Sequence, residues 1–186
     1  MLRRSIALGI LACGLQAAEP PGFRLRDTAG VMHSESEWRT ARAVVLVFLA
    51  IDCPISNGYV PELRRIAEKY RAVGVSFYAV QSGVIHTADE AATFVREFAF
   101  PFPLLVDPRS ALASYAGADT TPEVAVLSPA GQVRYLGRID NLYVQIGQKR
   151  YAASAFDLRD ALDQVLAGKP VARARTTAVG CSIPKG

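Results

Sequence analysis

An unbroken apolar run, Val44-Val45-Leu46-Val47-Phe48-Leu49-Ala50, constrains this chain more than any other feature. It is rich in β-branched residues and never alternates with polar ones. A strand with one wet face would alternate, so the run predicts a strand buried on both faces of a sheet. Helices must then cover both sides. Immediately after the run the period changes. Val60, Leu63, Ala67 and Tyr70 share one helical face, while Glu62, Arg65 and Lys69 fall elsewhere, which predicts a helix over 53–71. Cys53 and Pro54 stand at the junction, and proline suits a first helical turn because its missing N–H costs nothing there.

The remaining elements follow the same logic. Phe23 to Trp38 reads as a short hairpin around the turn Asp27-Thr28-Ala29-Gly30. Val75 to Val80 reads as a second strand. Thr87-Ala88-Asp89-Glu90 forms a capping box ahead of a helix through Phe98. A short strand at Leu104–Val106 and a short helix at Ser110–Tyr115 come next. Val124–Leu127 and Gln132–Leu136 flank Ser128-Pro129-Ala130-Gly131 as a hairpin, after which Asn141 to Tyr151 is an insertion. A last helix spans 155–166 and stops at Gly168 and Pro170. The order predicts an α/β domain over 19–170, with a mixed central sheet flanked by helices and an N-terminal hairpin. A polar, irregular tail over 171–186 carries Cys181.

Composition excludes several classes. With 186 residues, 51% of them hydrophobic and 20% charged, the chain can bury a core and is not disordered. A net charge of +4, with no basic cluster interleaved with aromatics, gives no reason to expect a nucleic-acid partner.

Residues 1–18 read as a secretory signal: Arg3 and Arg4, a short apolar run from Ile6 to Leu15, then Ala17 and Ala18. The run is too short to span a bilayer comfortably. A second reading takes Ile10-Leu11-Ala12-Cys13 as a bacterial lipoprotein box, with Cys13 lipidated and tethering the protein to a membrane. The expected location is the bacterial periplasm, or the outer side of the inner membrane. Export leaves Cys53 and Cys181 as the thiols of the mature chain. In an oxidising compartment two thiols can pair, and alone they cannot build a four-cysteine zinc site. No metal and no cofactor is expected.

Cys53-Pro54-Ile55-Ser56 concentrates the chemistry. A thiol at a helix N-terminus faces unpaired N–H groups and the positive end of the helix dipole, which favour thiolate. Ser56 lies within reach as a hydrogen-bond donor. Asp52 opposes the thiolate unless it points away. A buried, inert cysteine is the alternative.

The flanking pattern resembles the thioredoxin superfamily, in the redoxin branch that holds AhpC/TSA-type peroxiredoxins and extracytoplasmic thioredoxin-like proteins. The resemblance runs from about Phe23 to Leu166. An apolar strand leads into Cys53, Pro61 follows eight residues later, and Thr121-Pro122 precedes the Val124–Leu127 strand. The resemblance implies that Cys53 is the nucleophile and that Ser56 stands where a second cysteine usually does. It also implies that Thr121-Pro122 is a cis-proline loop offering backbone groups to an extended substrate, with Pro54 beside it. Cys181 would be a distant resolving cysteine, a static structural partner, or a free thiol.

Three departures qualify the resemblance. Cys-x-x-Cys is incomplete, the usual Trp before the cysteine is Asp52, and Leu49 and Ala50 occupy the region where peroxiredoxins carry a Thr. The expected activity is thiol–disulfide exchange with a protein or small-molecule thiol partner. Alternatives are a thiol peroxidase, or a copper-binding or copper-delivery module that uses Cys53 with His86. Arg138 is expected to pair with Asp140 or Asp157.

Overall fold

A computed structural model describes residues 22–83 and 86–184. The segment 1–18 expected to be a secretory signal, with Arg3, Arg4 and Cys13, lies outside the described residues. Among those residues no helix is long and apolar enough to cross a membrane.

The apolar run forms β3 (Ala43–Phe48), and all six of its residues are buried. β1 (Arg24–Arg26) and β2 (Met32–Ser34) form the hairpin before it. A 3-10 turn over Glu35–Thr40 follows that hairpin and buries Trp38. β3 sits at the middle of a five-stranded sheet. β4 (Val75–Ser82) lies parallel to it on one side and β5 (Leu104–Asp107) parallel to β4. The strands beyond the turn complete the other side. β7 (Glu123–Leu127) runs antiparallel to β3, and β8 (Val133–Gly137) antiparallel to β7. The sheet is therefore mixed, as the element order predicts.

Alternate residues of β3 feed two cores. Val45 and Val47 pack with α1 (Pro54–Arg71), α2 (Ala88–Glu97) and α4 (Asp157–Leu166). Val44, Leu46 and Phe48 face α3 (Ala111–Ala116), Trp38 and Phe23. The capping box at α2 is closed in both directions between Thr87 and Glu90. Pro61 lies inside α1, as the resemblance implies.

Two segments are more ordered than their sequences suggest. The insertion folds β9 (Tyr143–Gln145) against β10 (Gln148–Lys149). The tail does not stay irregular. Leu136 N–H donates to Ala174 O at 2.9 Å and Thr176 N–H to Leu136 O at 3.1 Å, so the tail bonds along β8. It then crosses the molecule, and β11 (Cys181–Ser182) pairs antiparallel with β6 (Thr120–Thr121). Ile183 is buried in the second core. These are pairings with distant backbone, which local polarity does not register.

Arg138 bonds Asp157 at 2.7 Å, and Asp140 instead accepts the Tyr59 hydroxyl at 2.6 Å. The hairpin is anchored by charge. His33 Nδ1 lies 2.9 Å from Glu37 and Nε2 lies 3.2 Å from Asp27, while Tyr78 of β4 donates to Glu37 at 2.9 Å. Burial disfavours a charged His33, but the Glu37 and Asp27 carboxylates outweigh it and raise its pKa above the ordinary 6.5. A raised folded-state pKa gives stability that is fully present below the unfolded value and is lost as pH rises through the folded one. Urea denaturation of the natural chain and of His33→Asn should therefore differ more at about pH 5.5 than at about pH 8.5. Equal gaps at both pH values would show that the imidazolium contributes nothing.

Candidate active site

β3 ends at Phe48 and delivers Cys53 to the N-cap of α1, with Pro54 in the first turn. The carboxyl end of a central parallel strand is where α/β sheets place ligands and chemistry. Cys53 is only 1% exposed. Its Sγ lies 3.0 Å from Cys181 Sγ and 3.4 Å from the Thr121 carbonyl oxygen. Both thiols are free. As a thiol, Cys53 donates to Thr121; as a thiolate, it accepts from the Cys181 S–H. Cys181 is exposed, so the two sulfurs touch but differ in access.

Their acidities differ as well. Burial pushes the Cys53 pKa up. The Cys181 thiol, the Ser56 N–H and hydroxyl and the Ile55 N–H all favour the thiolate, and together they leave the pKa lowered. Cys181 moves the other way. Its hydrogen bond to Cys53, its partial burial and the negative charges of Cys53 and Asp52 push it up to about 11. Ser56 is buried and also accepts the Ala50 N–H at 3.5 Å, the outer limit of a hydrogen bond. Asp52 points outward, its side chain 62% exposed, and lies 3.1 Å from His86 Nε2. That contact is an ion-pair separation without a hydrogen bond's alignment. The sequence reading had Asp52 oppose the Cys53 thiolate unless it points away; it does point away, and its negative charge bears on Cys181.

Two strands of two residues each hold the pair together. Cys181 stands opposite Thr121 and Ser182 opposite Thr120. Thr121 Oγ1 donates to Cys181 O at 3.3 Å, Ile183 N–H to Asp119 O at 2.8 Å and Ser110 Oγ to Pro184 O at 3.1 Å. The Thr121–Pro122 peptide is cis. At Gly180 the tail approaches so closely that a Cβ would overlap the Thr121 carbonyl. Glycine is the residue that permits this crossing.

A cavity of about 120 Å³ opens beside the pair, lined in part by Asp52, Gln81, Ser82, His86, Thr121 and Cys181. Gln81 Oε1, Ser82 Oγ and His86 Nε2 are buried there without a hydrogen-bond partner among the described residues. Tyr143 packs at a tilt against Tyr59 with ring centroids 5.1 Å apart, and its hydroxyl covers Gly58 in the first turns of α1.

The structure thus brings Cys53, Ser56, Thr121, Pro122 and Cys181 to one place, with Pro54 starting the helix beneath them. Sequence reasoning gave no role at the site to Gln81, Ser82, Gly180 or Tyr143. Gln81 and Ser82 carry a readable signal, two polar residues closing an otherwise apolar buried strand. Gly180 carries none beyond its place before Cys181. Among the described residues no group of three or more His, Cys, Asp or Glu side chains is placed to hold a metal ion.

Known proteins share this arrangement of strands and helices. A hypothetical protein of Sinorhizobium meliloti 1021 has a similar structure, with a TM-score of 0.79 and 25% identity over 98% of this chain and 97% of that one. An uncharacterized conserved protein of Geobacillus kaustophilus has a TM-score of 0.78 and 25% identity, over 91% and 92% of the two chains. The pneumococcal exposed lipoprotein thioredoxin Etrx1 of Streptococcus pneumoniae shares the fold at a TM-score of 0.59 and 19% identity, over 79% and 98%. Among curated proteins none matches the sequence. The AhpC/TSA family model matches residues 17–136, a span that holds Cys53, the cis-proline loop and most of the sheet. On that match, and with a thioredoxin-like fold around it, this chain belongs to the AhpC/TSA family, among the redoxins of the thioredoxin superfamily.

Proposed function

We propose that this chain is a thiol–disulfide oxidoreductase that uses Cys53 as nucleophile and Cys181 as resolving thiol. The observation that carries this reading is the 3.0 Å separation of the two sulfurs. A disulfide needs about 2.05 Å, so an approach of about 1 Å suffices. The Cys53 thiolate attacks one sulfur of a partner disulfide and releases the partner's other sulfur as thiolate. Cys181 loses its proton and attacks Cys53 Sγ, forming the Cys53–Cys181 disulfide and releasing the partner's second thiolate. The partner is reduced by two electrons and the cysteine pair is oxidised by two. Ser56 and the first N–H groups of α1 hold the thiolate. Thr121 and Pro122 offer the strand edge to a partner's extended backbone when the tail leaves it.

Family membership favours a second reading, a thiol peroxidase in which Cys53 cleaves a hydroperoxide and Cys181 condenses with the resulting sulfenic acid. Leu49 and Ala50, where peroxiredoxins carry a Thr, weigh against fast peroxide cleavage. Stopped-flow measurement of peroxide consumption separates the two, with slow consumption supporting exchange. Work outside the cytoplasm is part of the proposal. It rests on Arg3, Arg4 and the apolar run after them, and it suits a pair that cycles through a disulfide.

Two variants test the roles. Cys53→Ser should lower the reduction of glutathione disulfide to background, whereas Cys181→Ser should still attack once and accumulate a mixed disulfide on Cys53. Full exchange activity in Cys53→Ser would refute the assignment. Gly180→Ala forces the tail off Thr121, so linkage of the two cysteines under mild oxidant should slow by about 10- to 100-fold. Differential alkylation read by mass spectrometry measures that rate, and an unchanged rate would show that the β6–β11 pairing does not position Cys181.

A further inference from the structure

The tail lies along β6 as an added strand, and its successive residues meet the molecule in different ways. Gly180 crosses the Thr121 carbonyl at a point where a Cβ would overlap it. Cys181 sets its sulfur 3.0 Å from Cys53 Sγ. Ser182 is exposed. Ile183 donates its N–H to Asp119 O at 2.8 Å, and its side chain, 7% exposed, joins the core that α3 covers. Pro184 rests on Gly83, and its carbonyl accepts the Ser110 hydroxyl at 3.1 Å. Strand alternation accounts for the order, since Cys181 and Ile183 share the inward face and Ser182 turns out. A partner disulfide has to reach the same place. Cys53 is 1% exposed behind the tail, so the β6 edge must be vacated first. A vacated edge offers its N–H and C=O groups to another extended segment. It also keeps the shape of what left: no room for a side chain before the sulfur, open water at the next position, and an apolar hollow at the one after, beside the freed Asp119 carbonyl.

We propose that the tail is an internal likeness of the substrate, and that the chain selects protein disulfides carried in an extended Gly-Cys-x-aliphatic segment laid antiparallel on β6. This rests on the oxidoreductase reading and names its substrate class. The Cys53 thiolate bonds to the sulfur of the segment's cysteine, and that sulfur's bond to its former partner breaks. The electron pair leaves on the former partner, a thiolate that takes up a proton. The tail then returns to the edge that the segment holds. Cys181 loses its proton and bonds to Cys53 Sγ, and the segment's cysteine leaves as thiolate. The substrate disulfide gains two electrons and the cysteine pair loses two. Segment and tail compete for one bed, so the contacts that admit the substrate also expel the product. Selection comes from the bed itself. Any side chain at the position of Gly180 meets the Thr121 carbonyl, and a charge at the position of Ile183 must be buried without a partner.

The test uses the full chain, reduced, and a synthetic peptide with the sequence of residues 177–184, supplied as its disulfide-linked dimer. Rapid mixing, acid quench and chromatography follow release of the peptide thiol. The dimer should be reduced at least about tenfold faster than dimers of the same peptide carrying Gly180→Ala or Ile183→Asp. Methylating the peptide nitrogen equivalent to that of Ile183 removes the donor to Asp119 and should also slow reduction about tenfold. Dithiothreitol, which has no such bed, supplies the intrinsic reactivity of each dimer, and the rates are compared after division by it. Equal corrected rates for the unaltered, Gly180→Ala and Ile183→Asp peptides overturn the inference while leaving the oxidoreductase reading intact. Failure of the chain to reduce any of these disulfides, or glutathione disulfide, overturns the underlying reading and this inference with it.

Discussion

The burial of β3 on both faces is the constraint from which the site follows. Every residue from Ala43 to Phe48 is shut from water, and each pairs on one side with β4 or on the other with β7. A central strand of this kind has no freedom to slip, because a one-residue shift would exchange the two cores. The strand's end is thereby fixed, and so is the start of α1 a few residues on. Cys53 inherits its position from this chain of necessity, and its acidity from the Cys181 thiol together with Ser56 and the N–H groups that a helix start leaves unpaired. On the same carboxyl edge β4 ends in Gln81 and Ser82. The sheet thus brings the thiol and the polar cavity wall together without any long-range signal between them.

The second organising element is the tail. It makes no helix and carries few large apolar side chains, but it bonds to β8, crosses to β6 and buries Ile183. A thiol on such a segment can touch Cys53 and remain in water. One cysteine is buried, low in pKa and supported by a helix. The other is exposed, high in pKa and supported by a strand of two residues. In Cys-x-x-Cys proteins both thiols sit on one rigid helix. Here the second position of that motif is Ser56, which bonds the sulfur of Cys53, and in the proposed cycle the role of the second thiol falls to the tail.

Much of this was legible in the sequence because its causes are local. The apolar run, the helical periodicity of 53–71, the capping box at Thr87 and the turn at Ser128–Gly131 each depend on neighbouring residues, and each element formed within a residue or two of its expected bounds. The fold class followed from their order. Cys53 was legible from its place between strand and helix. The tail was not, since the features that order it are Thr121 and Leu136, distant in sequence. The Gly180 approach to a carbonyl is invisible for the same reason. Arg138 had two acidic neighbours to choose from, and the choice of Asp157 depended on where α4 docked. Asp140, given up by Arg138, was free to take the Tyr59 hydroxyl.

The distance along the chain between the two sulfurs has a thermodynamic consequence. Cys53 and Cys181 are 128 residues apart. Linking them closes the part of the domain that follows β3 into a ring, and in the chain-entropy picture a ring of that size withdraws about 4–5 kcal/mol of disorder from the unfolded chain. By the closure of a thermodynamic cycle, the same free energy that the bond gives to folding is what folding gives to the bond. Whatever loosens the domain makes the disulfide easier to reduce, and whatever reduces the disulfide makes the domain easier to unfold. A disulfide between Cys53 and Cys181 would thus write the redox state of the pair into the domain's resistance to denaturation.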